Sequence, residues 1–309
     1  MKDSTNNIYI EEYLSYMHTV KNLSYRTVET YRGDLFAFFS YLAKTTKESG
    51  GIEQIDLEDI SSVEYNTFVG FLSHQIEVHN NSSVTRKRKI AAIKGFYKFL
   101  VMKKRYFKYN PTDALDIPKC PTTETKYLQL DESIDLLKGI EGKHAVRDYA
   151  IITIFLNCGL RLSELTNIKL QDIKGDKLRI IGKGNKERTV FLNHACLKAI
   201  DEYMKIRESD SKYLFISAKK KPIANRTVQD LVKKHLEKAG LNTDEISTHK
   251  LRHTAATLMF QYGEVDILTL KGILGHQSVS TTQVYTHTSK DQIKDAQLSH
   301  PLAKFDMEK

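Results

Sequence analysis

The chain has 309 residues, of which 40% are apolar, and a formal charge of +9 with a pI near 9.1. That length suits two domains, and no apolar run approaches the roughly 18 residues a membrane-crossing helix needs. The polar start MKDSTNNIYIEEYL lacks a signal-peptide core, and Cys120, Cys158 and Cys196 fit neither a disulfide framework nor a paired zinc site, so a soluble intracellular protein with reduced thiols is expected, Cys158 as a small core residue.

In chain order, apolar residues recur at helical spacing over Ile8 to Val20 and Ser24 to Leu42, with Ser24 and Thr27 placed to begin the second helix. A third helix is predicted over Val63 to Val78, before the polar break HNNSS. Next, Ser82 to Lys108 holds ten Lys or Arg and no Asp or Glu, enough to account for the whole net charge. Its apolar residues Ile90, Ile93, Tyr97, Leu100 and Val101 predict an amphipathic helix with a cationic outer face. Solvated helix faces usually mix charge signs, so an unmixed one points to an anionic partner, with Arg86, Lys87, Arg88, Lys89 and Lys94 as candidate phosphate contacts. Four such helices make a small bundle, assigned to residues 1–110.

The segment NPTDALDIPKCPTTETKYLQL holds three of the five prolines and little periodicity, which reads as a linker over residues 111–127. From residue 128 to 309 the pattern is mixed. DESIDLLKGI predicts a helix with Asp131 near its start, and RDYAIITIFLNCG a buried helix ending at Gly159. DKLRIIG and ERTVFLN read as strands joined by a KGNK turn, followed by a helix near 194 to 207, a short KYLFIS strand, a helix from Asn225 to Ala239, and helices starting near Ser247 and Val265. The fold class expected is mainly α with a small antiparallel β-sheet.

Three short segments carry chemistry. In GLRLSEL, Arg161 follows a helix-ending glycine; taken alone, it reads more readily as the partner of Glu164. In THKLRHT, Ser247 or Thr248 caps a helix on which His249 and Arg252, three apart, share a face near the N-terminus, a natural anion site. His249 and His253, four apart, have the spacing of a metal pair, but a zinc-protease helix needs Glu beside its first His and Lys250 stands there. In GKGNKER, Lys183 sits between two glycines at a hairpin tip. With His276 and Tyr285 of LGHQSVSTTQVYTH, Arg161, Lys183, His249 and Arg252 compose a set suited to a phosphodiester. Guanidiniums clamp its oxygens, a lysine protonates a leaving oxygen, histidines exchange protons and a tyrosine attacks.

GLRLSEL, IGKGNKER, HKLRHT and LGHQSVSTTQVYTH, in this order, resemble the boxes of the tyrosine recombinases, or phage integrase family, most of all its bacterial Xer-type members. The resemblance covers almost the whole chain. It implies an N-terminal four-helix SAM-like core-binding domain and a mixed α+β catalytic domain. It also implies an enzyme that cuts and rejoins DNA strands through a 3'-phosphotyrosyl intermediate without metal, ATP or other cofactor. In that scheme Tyr285 is the nucleophile, Arg161 and Arg252 bind the scissile phosphate, Lys183 is the general acid, His249 assists proton transfer, His276 completes the phosphate shell and Glu164 supports from behind. The implied partners are a double-stranded recombination site and three further protomers, identical or from a related recombinase, in a tetramer on two duplexes. A terminal helix carrying Ile293, Ala296 and Leu298 would dock on a neighbour. The implied setting is the bacterial cytoplasm and nucleoid, with chromosome or plasmid dimer resolution as the task. Three other readings stay open at this stage: an integrase or excisionase of a mobile element, a non-cutting architectural DNA-binding protein, and a type IB topoisomerase. His287 has no assigned role.

Overall fold

The computed structural model describes residues 7–46, 51–119, 126–182, 187–263 and 265–275. The chain forms two compact units, Met1–Thr123 and Glu124–Lys309. Among the described residues, no helix is long and apolar enough to cross a membrane.

The first unit is helical throughout: α1 (Ile8–Thr19), α2 (Tyr25–Thr46), α3 (Leu57–Ser61), α4 (Tyr65–Glu77) and α5 (Ser83–Phe99), the last continuing into a π-helical turn, Leu100–Lys104. Ser24 receives the Thr27 amide at the start of α2, and the Ser82 hydroxyl receives the Thr85 amide at the start of α5. The short α3 has no periodicity of its own to betray it. It exists because Asp56 and Asp59 cap each other's backbone amides reciprocally. Burial falls where the spacing puts it, on Ile90, Ile93, Tyr97 and Leu100, all fully buried. Aromatic rings fill the space between helices: Phe38 stacks on Phe68 at 5.4 Å and meets Phe71 edge-on, and the Tyr97 hydroxyl donates to the Ile60 carbonyl at 3.0 Å. Asn110 to Leu115, at the start of the predicted linker, pack onto this unit, with Leu115 in its core.

In the second unit α7 (Ala145–Cys158) is apolar on nearly every side because neighbours surround it: α6 (Leu130–Lys138), α9 (His194–Ile206), α10 (Asn225–Lys238) and α11 (Thr248–Tyr262) all pack against it. Asp148, from α7, meets the buried His235 of α10 at 3.2 Å. Cys158 and Cys196, far apart in sequence, face each other across α7 and α9 with 3.8 Å between free sulfurs. The expected hairpin gains a third strand, giving an antiparallel sheet in the order β1 (Ile173–Lys174), β2 (Lys177–Ile181), β3 (Glu187–Phe191). In its register Leu178 pairs with Val190 and Ile180 with Arg188. Two short helices complete the unit, α8 (Leu162–Thr166) and α12 (Ile267–Leu274).

KYLFIS does not form the expected strand; it makes only isolated bridges, Lys169 with Tyr213 and Ile216 with Pro222. Its backbone is divided among several partners: Leu170, Ile168, Ile223 and Lys221 bond parts of it, and the Arg207 guanidinium takes the carbonyls of Tyr213 and Leu214, as well as those of Ser209 and Ser211 just before it, so no single neighbouring strand pairs along it. The apolar signal was real but reported burial, since Leu214 and Phe215 are fully buried.

Candidate active site

Gly159 ends α7 in the left-handed conformation, φ +57°, which turns the chain sharply into the N-cap residue Arg161 of α8. A side chain there would be strained, and its Cβ would meet Leu274 at 2.9 Å. One turn into α8, Glu164 reaches back so that its carboxylate accepts both the Arg161 amide at 2.8 Å and the Arg161 guanidinium at 2.9 Å. The pairing that GLRLSEL allowed as an ordinary reading is present, yet the same carboxylate also serves two other arginines. Arg188 of β3 grips it with two prongs, Nη1 to Oε1 at 2.9 Å and Nη2 to Oε2 at 2.8 Å. Arg252 of α11 lies 3.9 Å from it.

Burial by itself would push the Glu164 carboxyl up, but hydrogen bonds from Arg188 and from the Arg161 backbone, with the Arg188 charge, outweigh it and hold the group at about 2. Near neutral pH it is therefore an anion among three cations.

The same three arginines hold the end of α12. Arg188 Nε donates to the Ile273 carbonyl at 3.1 Å, Arg252 Nη2 to Leu274 at 2.7 Å and Arg161 Nη2 to Gly275 at 3.2 Å. Helix carbonyls at a C-terminus have no intrahelical partner and carry partial negative charge, so cations there are favoured. Arg252 is buried and also donates to the Gly159 carbonyl at 2.7 Å, whereas Arg161 remains partly exposed.

One turn before Arg252, His249 keeps an exposed position and packs edge-on against His253 with ring centres 4.8 Å apart. Desolvation of part of its ring, then the charges of Arg252, Lys250 and Arg161, hold its imidazole below the ordinary value, so it is largely neutral near pH 7 and able to accept a proton. Arg161, His249 and Arg252 are thus brought together from two distant boxes. Lys183, His276 and Tyr285 lie outside the described residues, as do His287 and the predicted terminal helix.

The basic helix of the first unit is less open to an anion than its sequence suggests. Lys89 is buried beside Asp34 at 3.7 Å, Arg88 bonds the same carboxylate, and Lys94 donates to the Thr112 and Leu115 carbonyls at 2.8 Å each. Arg86 donates to the Asn81 carbonyl, while Lys87 is exposed. Lys98, Lys103, Arg105 and Lys108, in the same stretch, are exposed as well.

Sequence reasoning left Arg188 without a role, although it stands in the IGKGNKER box. The signal was its place on β3: alternation puts it on the same face as the buried Val190, an unusual position for an unpaired arginine.

Known proteins resemble this chain along nearly all of its length. The phage integrase family profile matches residues 126–292, and the profile for the phage integrase N-terminal SAM-like domain matches residues 10–104. A tyrosine recombinase XerC of Caldanaerobacter subterraneus subsp. tengcongensis is 48% identical over 306 residues, covering 95% of this chain and 87% of the relative. One from Oceanobacillus iheyensis is 33% identical, covering 96% and 97%. In fold, the chain is similar to the XerH site-specific recombinase bound to a palindromic difH substrate, with a TM-score of 0.75 at 18% identity and coverage of 94% and 95%. It is also similar to a lambda integrase dimer bound to a COC' core site, with a TM-score of 0.70 at 16% identity and coverage of 90% and 93%. With the family matched over more than half of its length and such relatives along nearly all of it, this chain belongs to the phage integrase family and is a Xer-like tyrosine recombinase, an enzyme of site-specific recombination.

Proposed function

We propose that Tyr285 attacks a DNA phosphodiester, forming a 3'-phosphotyrosyl bond as the bond to the 5' oxygen breaks. Lys183 gives that leaving oxygen its proton, and His249 takes the phenolic proton of Tyr285. Arg161 and Arg252 bind the nonbridging oxygens and stabilise the charge of the pentacoordinate transition state, with His276 beside them. A free phenol has a pKa of about 10, so the attack depends on this base and this cationic field. The new ester conserves the energy of the bond it replaces, and attack by a 5' hydroxyl reverses the step without ATP.

The observation that supports this reading is the convergence of Arg161 and Arg252 on one carboxylate, with His249 a turn away and only partly desolvated. Such a cluster holds two guanidiniums in place before an anion arrives.

The partner in this reading is a double-stranded recombination site, held by the core-binding unit, residues 1–110, and the catalytic unit, residues 128–309, joined by the segment 111–127. Exposed cations of the first unit, Lys87, Lys98, Lys103, Arg105 and Lys108, supply phosphate contacts. Four protomers, identical or shared with a related recombinase, act on two duplexes; a structural neighbour with a TM-score of 0.64 is a lambda integrase tetramer on a Holliday junction. The task is resolution of chromosome or plasmid dimers in the bacterial cytoplasm, in line with the XerC relatives.

The experiment is incubation with nicked suicide duplexes, followed by a denaturing gel. A covalent protein–DNA adduct is expected from the wild type and none from Tyr285→Phe; an adduct retained by Tyr285→Phe refutes the nucleophile. Sequencing the trapped DNA then separates a dimer-resolution site from the end of a mobile element.

A further inference from the structure

Arg188 is joined to the arginine cluster through the Glu164 carboxylate and the end of α12. Its two terminal nitrogens hold both oxygens of Glu164, and its Nε holds the Ile273 carbonyl. With both Nη and Nε engaged, and a side chain only 12% exposed, it is committed to the protein interior. Glu164 in turn uses both oxygens to fix the amide and guanidinium of Arg161. A second, independent feature points to the same residue. Gly275 stands in the left-handed conformation, φ +65°, and a Cβ there would meet Arg188 Cδ at 3.2 Å and Nη1 at 3.3 Å. The backbone of the LGHQ box therefore passes close against the Arg188 side chain, at a left-handed position that favours glycine.

Because Arg188 sits on β3, in the same IGKGNKER box as Lys183, these contacts tie three boxes together. We infer that Arg188 is a positioning residue for strand cleavage: its fork sets the Glu164 carboxylate that orients Arg161, and its Nε fixes the backbone leading into His276. Oriented donors contribute most when they need not rearrange as charge develops, so a loosened Arg161 slows the chemical step while leaving DNA binding largely intact.

The inference rests on the proposed cleavage reaction, and the test separates the two. The full-length chain is assayed on the suicide duplex recovered from wild-type adducts, as wild type, Arg188→Gln, Arg188→Lys, Glu164→Gln and the double variant Arg188→Gln/Glu164→Gln. Each is checked for folding by circular dichroism and for non-covalent binding to the same duplex. Arg188→Gln is expected to slow adduct formation about 100-fold, the scale on which misplacing a reacting group acts, with binding changed less than about 3-fold. Arg188→Lys keeps the charge but loses the fork, and should recover only part of the rate. The double variant should be no slower than the slower single one, because both substitutions break one linked unit.

A pH profile adds a readout that loss of folding would not give. Glu164 faces only the cations Arg161, Arg188 and Arg252 among the charged groups described around it. Removing Arg188 leaves burial less opposed, so the carboxyl rises and the rate of Arg188→Gln should fail at a higher pH than that of the wild type on acidification. Should Arg188→Gln not fold, Arg188→Lys carries the same comparisons. A wild-type rate in the folded variants, multiplying losses in the double variant, or an unmoved acid limb overturns the inference while the cleavage reading stands. Absence of a Tyr285-dependent adduct from the wild type overturns both.

Discussion

Asp34 in the first unit and Glu164 in the second are both buried carboxylates set against arginines, and the two behave oppositely. Asp34, on α2, faces Arg88 and Lys89; burial raises its carboxyl above the ordinary value, and the two cations do not overcome that. Glu164 is similarly buried, yet it is held at about 2. The difference lies in how many donors are fixed on each. Arg88 is a partly exposed side chain, and the Lys89 ammonium stands 3.7 Å away, beyond hydrogen-bond range. Glu164 receives a two-pronged guanidinium, a second guanidinium and a backbone amide, all at 2.8 to 2.9 Å. The number and rigidity of donors, more than formal charge, decide whether a buried carboxylate remains an anion.

The largest effect should come from breaking the better-held group. Glu164→Ala leaves Arg161, Arg188 and Arg252 clustered without their counter-charge, and should cost the second unit about 3–5 kcal/mol, the usual scale for removing one partner of a buried ion pair. Denaturant-dependent hydrogen exchange in α7 measures it, and a loss below about 1 kcal/mol would contradict the contrast drawn here. Asp34→Asn should cost the first unit only about 1 kcal/mol, the scale of an ordinary hydrogen bond, read from exchange in α2.

Acid should separate the pair by sign. Glu164 contributes stability above its ordinary value of 4.5, and that contribution disappears as pH falls from 4.5 to about 2. The stability gap between wild type and Glu164→Gln should close over that window. For Asp34 the folded value lies above the ordinary 3.8, so protonation relieves a cost; wild type should gain on Asp34→Asn as pH falls towards 3.8. The smallest effect concerns the exposed cations: Lys87→Gln should lower the salt slope of DNA affinity by about 1 unit and leave folding unchanged.

Much of this was legible in the sequence, for reasons that also mark where legibility ended. The helices of the first unit follow from apolar spacing, since a 3.6-residue period leaves its stripe in the order of residues. Gly159, Arg161, Glu164, His249 and Arg252 were legible as boxes because local turns and helix starts need particular residues at fixed offsets. What failed to show were relations through space. Lys89 and Lys94 read as outward cations, yet Asp34 and the carbonyls of Thr112 and Leu115 take them inward. Cys158 and Cys196 read as isolated until α7 and α9 brought them face to face. KYLFIS carried the composition of a strand, but pairing is a property of its neighbours, and its backbone is divided among several of them.

The end of α12 rests on three cations at three successive carbonyls, Ile273, Leu274 and Gly275. Like charges brought this close repel, and three guanidiniums would drift apart without negative groups among them. Here the peptide dipoles of a helix terminus serve as a resident counter-ion that never diffuses away. The three guanidiniums can therefore stay assembled whether or not an anion is bound, because the backbone of Ile273, Leu274 and Gly275 holds all three of them.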